Sequence, residues 1–134
     1  MIFALLAAVI VLPVIASACT YGQISVELNT QFTLPIGKTA VINGEQLRIK
    51  FVEVTGDSRC PIGVECIQAG DAKCLMSISY MDSETSVTLT QTGGAVSSEV
   101  TFNGYTINFN LEPYPVYGKK ISPTDHKLIM MVKK

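Results

Sequence analysis

Apolar positions follow two regimes along this chain. Residues 1–18 (MIFALLAAVIVLPVIASA) are almost wholly apolar and hold no charged side chain. Beyond residue 37, apolar and polar residues alternate in short runs broken by Gly, Asn, Asp and Pro. Such period-two alternation is the signature of half-buried strands. In residues 46–54 (QLRIKFVEV), Leu47, Ile49 and Phe51 share one face. Val52 and Val54 then change the parity, which predicts a bulge. In residues 72–80, Cys74, Met76, Ile78 and Tyr80 share the inward face, and Val87 and Leu89 continue the pattern through 85–91. Val100 and Phe102 precede Asn103-Gly104, and Tyr105, Ile107, Phe109 and Leu111 follow it. Two alternating runs around Asn-Gly predict a hairpin with a type I′ turn. Ile42-Asn43-Gly44-Glu45 predicts a second such hairpin, joining 38–42 to 46–54. Residues 127–132 (KLIMMV) predict a final strand.

No window carries an apolar stripe at helical spacing with caps. About eight or nine short strands with regular turn signals predict an all-β fold, an antiparallel β-sandwich or small barrel. Residues 19–134 form its single domain. Two long loops interrupt the strands, residues 56–71 and 113–125. Loops on a rigid β scaffold are where binding usually resides.

The apolar segment changes the setting of this domain. Residues 2–16 have the length of a signal-peptide core, and Pro13 would break a helix there. Ala16-Ser17-Ala18 supplies small residues before a cleavage point, and Cys19 follows directly. The segment is therefore read as a signal peptide or membrane anchor. Ala18-Cys19 resembles a bacterial lipobox, which implies diacylglyceryl lipidation of Cys19. Ala16 stands where that motif usually has a larger aliphatic residue. Two other outcomes are open: plain secretion after Ala18, or retention of residues 1–18 as a transmembrane anchor, since about 17–25 apolar residues span a bilayer. All three place the domain in an extracytoplasmic, oxidising space, and the lipidated or anchored forms hold it at the cell envelope.

Composition narrows the function more than it defines it. The formal charge is −1, which offers no electrostatic reason to expect a nucleic-acid partner. Lys127, Lys133 and Lys134, with Lys119 and Lys120 nearby, read as a solvated edge that discourages strand pairing. Of the four cysteines, Cys60 and Cys66 share one Gly/Pro-containing loop, and outside the cytoplasm such a pair forms a disulfide. Closing that ring restricts the unfolded chain by roughly 2.4 kcal/mol in the entropy model, so the bond shapes the loop more than it holds the domain. Cys74 falls on a core-facing strand position, where a thiol behaves as a small hydrophobe. It has no partner if Cys19 is lipidated; otherwise a Cys19–Cys74 bond is open.

One histidine, His126, stands in the chain. Blue-copper sites need two and catalytic zinc sites usually two or three. A zinc set of Cys60, Cys66, Cys74 and His126 has the spacing of no finger or ribbon. No Gly-x-Ser-x-Gly elbow exists to pair with His126 as a base, so it reads as a surface residue opening the last strand. Asp82 and Glu84 flank a turn tip, whereas glycosidase carboxylates face each other across a cleft. Asp57 and Asp71 lack the spacing of an EF-hand. Gly93-Gly94 opens no helix and reads as a turn. The expectation is no catalytic residue, no metal and no cofactor.

The loop Asp57-Ser58-Arg59-Cys60-Pro61-Ile62-Gly63-Val64-Glu65-Cys66-Ile67-Gln68-Ala69-Gly70-Asp71-Ala72 resembles a signature of uncharacterised bacterial exported proteins, roughly D-S-R-C-P-x-x-V-x-C-x-W-A-G-x-A before a strand. Some of those proteins also carry a Pro-Tyr-Pro segment near the end, as at Pro113-Tyr114-Pro115. The resemblance implies a shared fold and a Cys60–Cys66 bond, and brings no established activity. Gln68 stands where the signature has Trp.

Read from its residues, the same loop is the most charged stretch of the chain, with Arg59 close to Asp57. It serves either as a disulfide-stiffened element with Arg59 paired to a carboxylate, or as a recognition loop. Tyr114 and Tyr117, on the Pro-stiffened stretch 113–117 (PYPVY), offer contact area at low entropic cost, unless they fold back over the sandwich end. Arg59, Tyr114 and Tyr117 are the candidate partner contacts. The functional expectation is a lipid-anchored, non-enzymatic binding or structural module of the cell envelope, attached to the membrane by lipid or helix and open to a protein partner there. The alternatives are an accessory subunit of a membrane complex with residues 1–18 retained, and a secreted inhibitor or enzyme acting through its loops.

Overall fold

The computed structural model describes residues 22–134; the expectations for residues 1–18 and Cys19 lie outside them. Nine strands form two facing sheets, β1 Gln23–Val26, β2 Phe32–Pro35, β3 Thr39–Ile42, β4 Leu47–Asp57, β5 Asp71–Tyr80, β6 Ser83–Thr92, β7 Ser98–Phe102, β8 Tyr105–Glu112 and β9 Lys127–Lys133. One sheet has the order β1-β3-β4-β5-β6 and the other β2-β9-β8-β7. The expected β-sandwich is the observed fold. One pairing departs from the antiparallel expectation. β1 runs parallel to β3, because the chain crosses to the opposite sheet to make β2 between them.

The core is the inward half of each alternation. Leu47, Ile49, Phe51, Cys74, Met76, Ile78 and Leu89 of one sheet meet Tyr105, Ile107, Phe109, Leu111, Leu128, Met130 and Val132 of the other, all buried. The parity change in β4 is real. Its register with β5 shifts between Phe51 and Glu53 and again between Val54 and Gly56, which keeps Val54 packed on the core.

Turn chemistry sets the hairpins. Asn103 and Gly104 have φ of 45° and 82°, the two positive values a type I′ turn needs. The hairpin after Ile42 forms, but its turn differs from the expected one. Only Gly44 takes a positive φ there, and Glu45 N–H donates to the Ile42 carbonyl at 3.2 Å, as in a type II turn. A further two-residue turn, Met81-Asp82, joins β5 to β6 with both φ values positive, 47° and 66°.

Strand pairing also fixes which loops share an end. β1 and β3 start, β4 ends, β5 starts and β6 ends on one side. β2 and β8 end there too, and β7 and β9 start there. Loops 58–70, 93–97 and 113–126 therefore gather at the end where the described chain enters at Gly22. Turns 43–46, 81–82 and 103–104 lie at the opposite end.

Candidate functional site: two paired loops

Loop 58–70 is closed at its neck by backbone. Ser58 N–H donates to the Asp71 carbonyl at 2.7 Å, and Cys60 N–H to the Ala69 carbonyl at 2.8 Å. A third segment joins them, since Gly93 N–H donates to the Gly70 carbonyl at 2.8 Å. The approach is so close that a Cβ on Gly70 would sit 1.8 Å from the Ser58 carbonyl oxygen, and one on Gly93 2.0 Å from that of Ala69. Beyond the neck, Cys60 and Cys66 are joined by the expected disulfide, with Cα atoms 5.9 Å apart.

The sequence treats the loops 56–71 and 113–125 separately; the structure pairs them. Ile62 bridges Val116 in parallel, with Ile62 N–H donating to the Pro115 carbonyl at 3.0 Å and Tyr117 N–H to the Ile62 carbonyl at 2.9 Å. The Tyr114 hydroxyl donates to the Cys60 carbonyl at 2.9 Å. The two loops thus form one stiffened layer over the end of the sandwich.

Arg59 is the pin of that layer. Its side chain is fully buried. Nε and Nη2 donate to the two Asp57 carboxylate oxygens at 2.8 and 2.7 Å. Nη1 donates to the Leu111 carbonyl at 2.8 Å, and Nη2 also to that of Pro113 at 3.1 Å. The guanidinium carbon lies 4.9 Å from the centre of the Tyr114 ring. A buried charge is tolerable when it is paired and hydrogen-bonded in this way. The three candidate contacts therefore separate. Arg59 is spent on internal bonds, which corrects the expectation that it meets a partner at the surface. Tyr114 is half-buried and folds back on the loop, while Tyr117 is exposed.

Leu111 shows why Arg59 must be there. β7 pairs with β8 only as far as Phe109, while β8 runs on to Glu112. On the side left open, the buried Gln91 accepts the Leu111 N–H at 2.7 Å through Oε1. Its amide donates to Asn110 Oδ1 at 2.7 Å and to the Ala95 carbonyl at 3.3 Å. Arg59 and Gln91 thus replace the missing length of β7 with side chains. Sequence reasoning passed over Gln91, although its parity with Val87 and Leu89 puts an amide on a core-facing position, and a polar residue there signals a dedicated bond.

His126 differs from the sequence reading. It does precede the last strand, but it is buried rather than on the surface. Its carbonyl accepts the Ile36 N–H at 3.0 Å, and its Nδ1 has no hydrogen-bond partner. Burial holds its pKa below the ordinary histidine value, with the Asp57 charge opposing that shift and Arg59 adding to it. Cys74 is a buried thiol, and burial pushes its pKa up to about 12. Among the described residues no group of three or more His, Cys, Asp or Glu is placed to hold a metal ion. No helix among them is long and apolar enough to cross a membrane. Two shallow depressions of about 520 and 470 Å³ lie on the sheets, one lined by Val41, Arg48, Ser79 and Glu84 and the other by Asn108, Asn110, Ile129 and Met131.

Comparison of the chain with protein-family models, with curated proteins and with solved structures finds no match. The functional reading therefore rests on the site itself.

Proposed function

We propose that this protein is an exported module of the cell envelope, held at the membrane through lipid on Cys19 and acting by contact rather than by catalysis. The observation that carries this reading is the loop layer. Two long loops, one of them closed by a disulfide, are locked together by backbone bonds and a buried Arg59, yet they present Ile62, Val64 and Tyr117 to solvent. A preorganised surface of this kind loses little entropy when it binds. The disulfide is compatible with an oxidising compartment. Tyr117 is the contact residue of the layer, and Arg59 and Tyr114 hold it in position.

Metabolic labelling with a palmitate analogue tests the attachment. The wild-type protein takes up label and the Cys19→Ser variant does not. Absence of label from the wild-type protein rejects lipidation at Cys19.

A further inference from the structure

We infer that the end of the sandwich bearing the paired loops lies against the lipid bilayer, with Ile62, Ile67, Val96 and Tyr117 seated at the headgroup boundary. This rests on attachment through the N-terminal segment and specifies which face that attachment presents. Seven large apolar side chains are exposed among the described residues, and five of them (Ile62, Val64, Ile67, Val96 and Tyr117) belong to the loops of this one end. Ile67 and Val96 are almost wholly in water, at 105% and 89% of full exposure. Grouped exposed apolar residues mark an interaction surface rather than ordinary scatter.

The position of the chain entry names the occupant. The described chain enters at Gly22, whose carbonyl accepts the Thr39 N–H at the start of β3, on the same end as these loops. Three residue steps separate Cys19 from Gly22, a reach of about 10 Å. Acyl chains on Cys19 would hold this end, and no other, beside the headgroups. Exposed Lys119 and Lys120 adjoin Tyr117, placed to lay their stems along the apolar surface with their ammonium groups in the headgroup layer. Glu65 and Asp125 are exposed at the same end, so apolar area rather than net charge drives the contact. It forms on neutral as well as anionic lipid.

The chain contains no tryptophan, so Ile67→Trp and Val96→Trp each introduce a single reporter, with Met81→Trp at the opposite end as control. Full-length acylated protein is reconstituted into phosphatidylcholine vesicles with brominated acyl chains. The indoles at 67 and 96 lose most of their emission and that at 81 keeps it. If the protein floats with the vesicles but 67 and 96 stay unquenched, attachment stands and this orientation falls. If emission at 67 shifts to the blue without quenching by bromine, protein covers the surface and the inference falls. If the protein does not float at all, the attachment and the orientation fall together.

Discussion

Arg59 Nη1 lies 2.8 Å from the carbonyl oxygen of Leu111, where a longer β7 would have placed a backbone N–H. With Gln91 on the Leu111 N–H, this side chain completes the ladder of β8, and it fastens the two loops to the end of the sandwich. The disulfide loop is accordingly tied to the sheet it overlies.

Arg59→Ala removes the guanidinium donors of the Leu111 and Pro113 carbonyls and leaves the Asp57 carboxylate only the backbone N–H of residue 59, at 3.3 Å. The Asp57 carboxylate left behind is partly exposed, so the main cost is the unsatisfied buried Leu111 carbonyl, about 1–3 kcal/mol, and urea unfolding should register a loss of at least that order. Arg59→Lys should recover only part of it, since an ammonium cannot reproduce the two-pronged geometry.

Gln91→Leu keeps the volume and removes the acceptor of the buried Leu111 N–H. The expected loss is about 1–3 kcal/mol, the cost of an unsatisfied buried group. Amide hydrogen exchange should quicken at Leu111 relative to Ile107, deep in the same strand.

Gly93→Ala drives a methyl group into the Ala69 carbonyl. The substitution should destabilise at the upper end of the about 1–3 kcal/mol found for overpacking. Gly104→Ala meets no atom within 4 Å, so its cost is that of the positive φ alone. Thermal unfolding of the two variants separates steric from backbone effects.

Met81 holds a φ of 47° in a two-residue turn and is exposed. A left-handed conformation costs an ordinary L-residue about 1–2 kcal/mol, and Asn escapes part of it. Met81→Asn should therefore raise the melting temperature, and an unchanged or lower one would contradict the assigned turn.

Burial shifts His126 and Cys74 in opposite directions, and both shifts make stability depend on pH. His126 binds its proton less readily folded than unfolded, so its contribution is intact above the unfolded value of about 6.5 and is lost as pH falls through the folded value. Cys74 rises from 9.0 to about 12; the unfolded chain loses that proton first, and stability falls as pH climbs past 9. Stability measured from pH 4 to 10 should decline on both sides, with the acid limb reduced in His126→Phe. The Cys74 thiol should resist alkylation at pH 8 until the protein unfolds.

Much of this fold was legible because strand alternation reports burial directly. Leu47, Ile49 and Phe51, then Cys74, Met76 and Ile78, then Tyr105 through Leu111 fall on the core face as their parity requires. The β4 bulge followed from the parity change near Val52. β1 and β2 were not legible, since they are four-residue strands without the Asn-Gly turn that marked out β3, which is equally short. The parallel β1–β3 pairing is a long-range arrangement with no local signal. Cys60 and Cys66 announced their bond by spacing, but the pairing of Ile62 with Val116 joins segments far apart in sequence. Arg59 could be matched to Asp57 from proximity, whereas its bond to Leu111 depends on where β7 begins. His126 was misread because burial at a strand entrance depends on what meets it there, here the chain just past β2, where Ile36 bonds its carbonyl.

The most direct test of the account is the intact mass of the protein from its native membrane fraction, taken without reduction. The account predicts residues 19–134 carrying acyl chains and short of two hydrogens for the Cys60–Cys66 bond. A mass for residues 1–134 would contradict lipidation and assign attachment to the retained apolar segment. Unmodified residues 19–134 in the soluble fraction would contradict membrane attachment altogether.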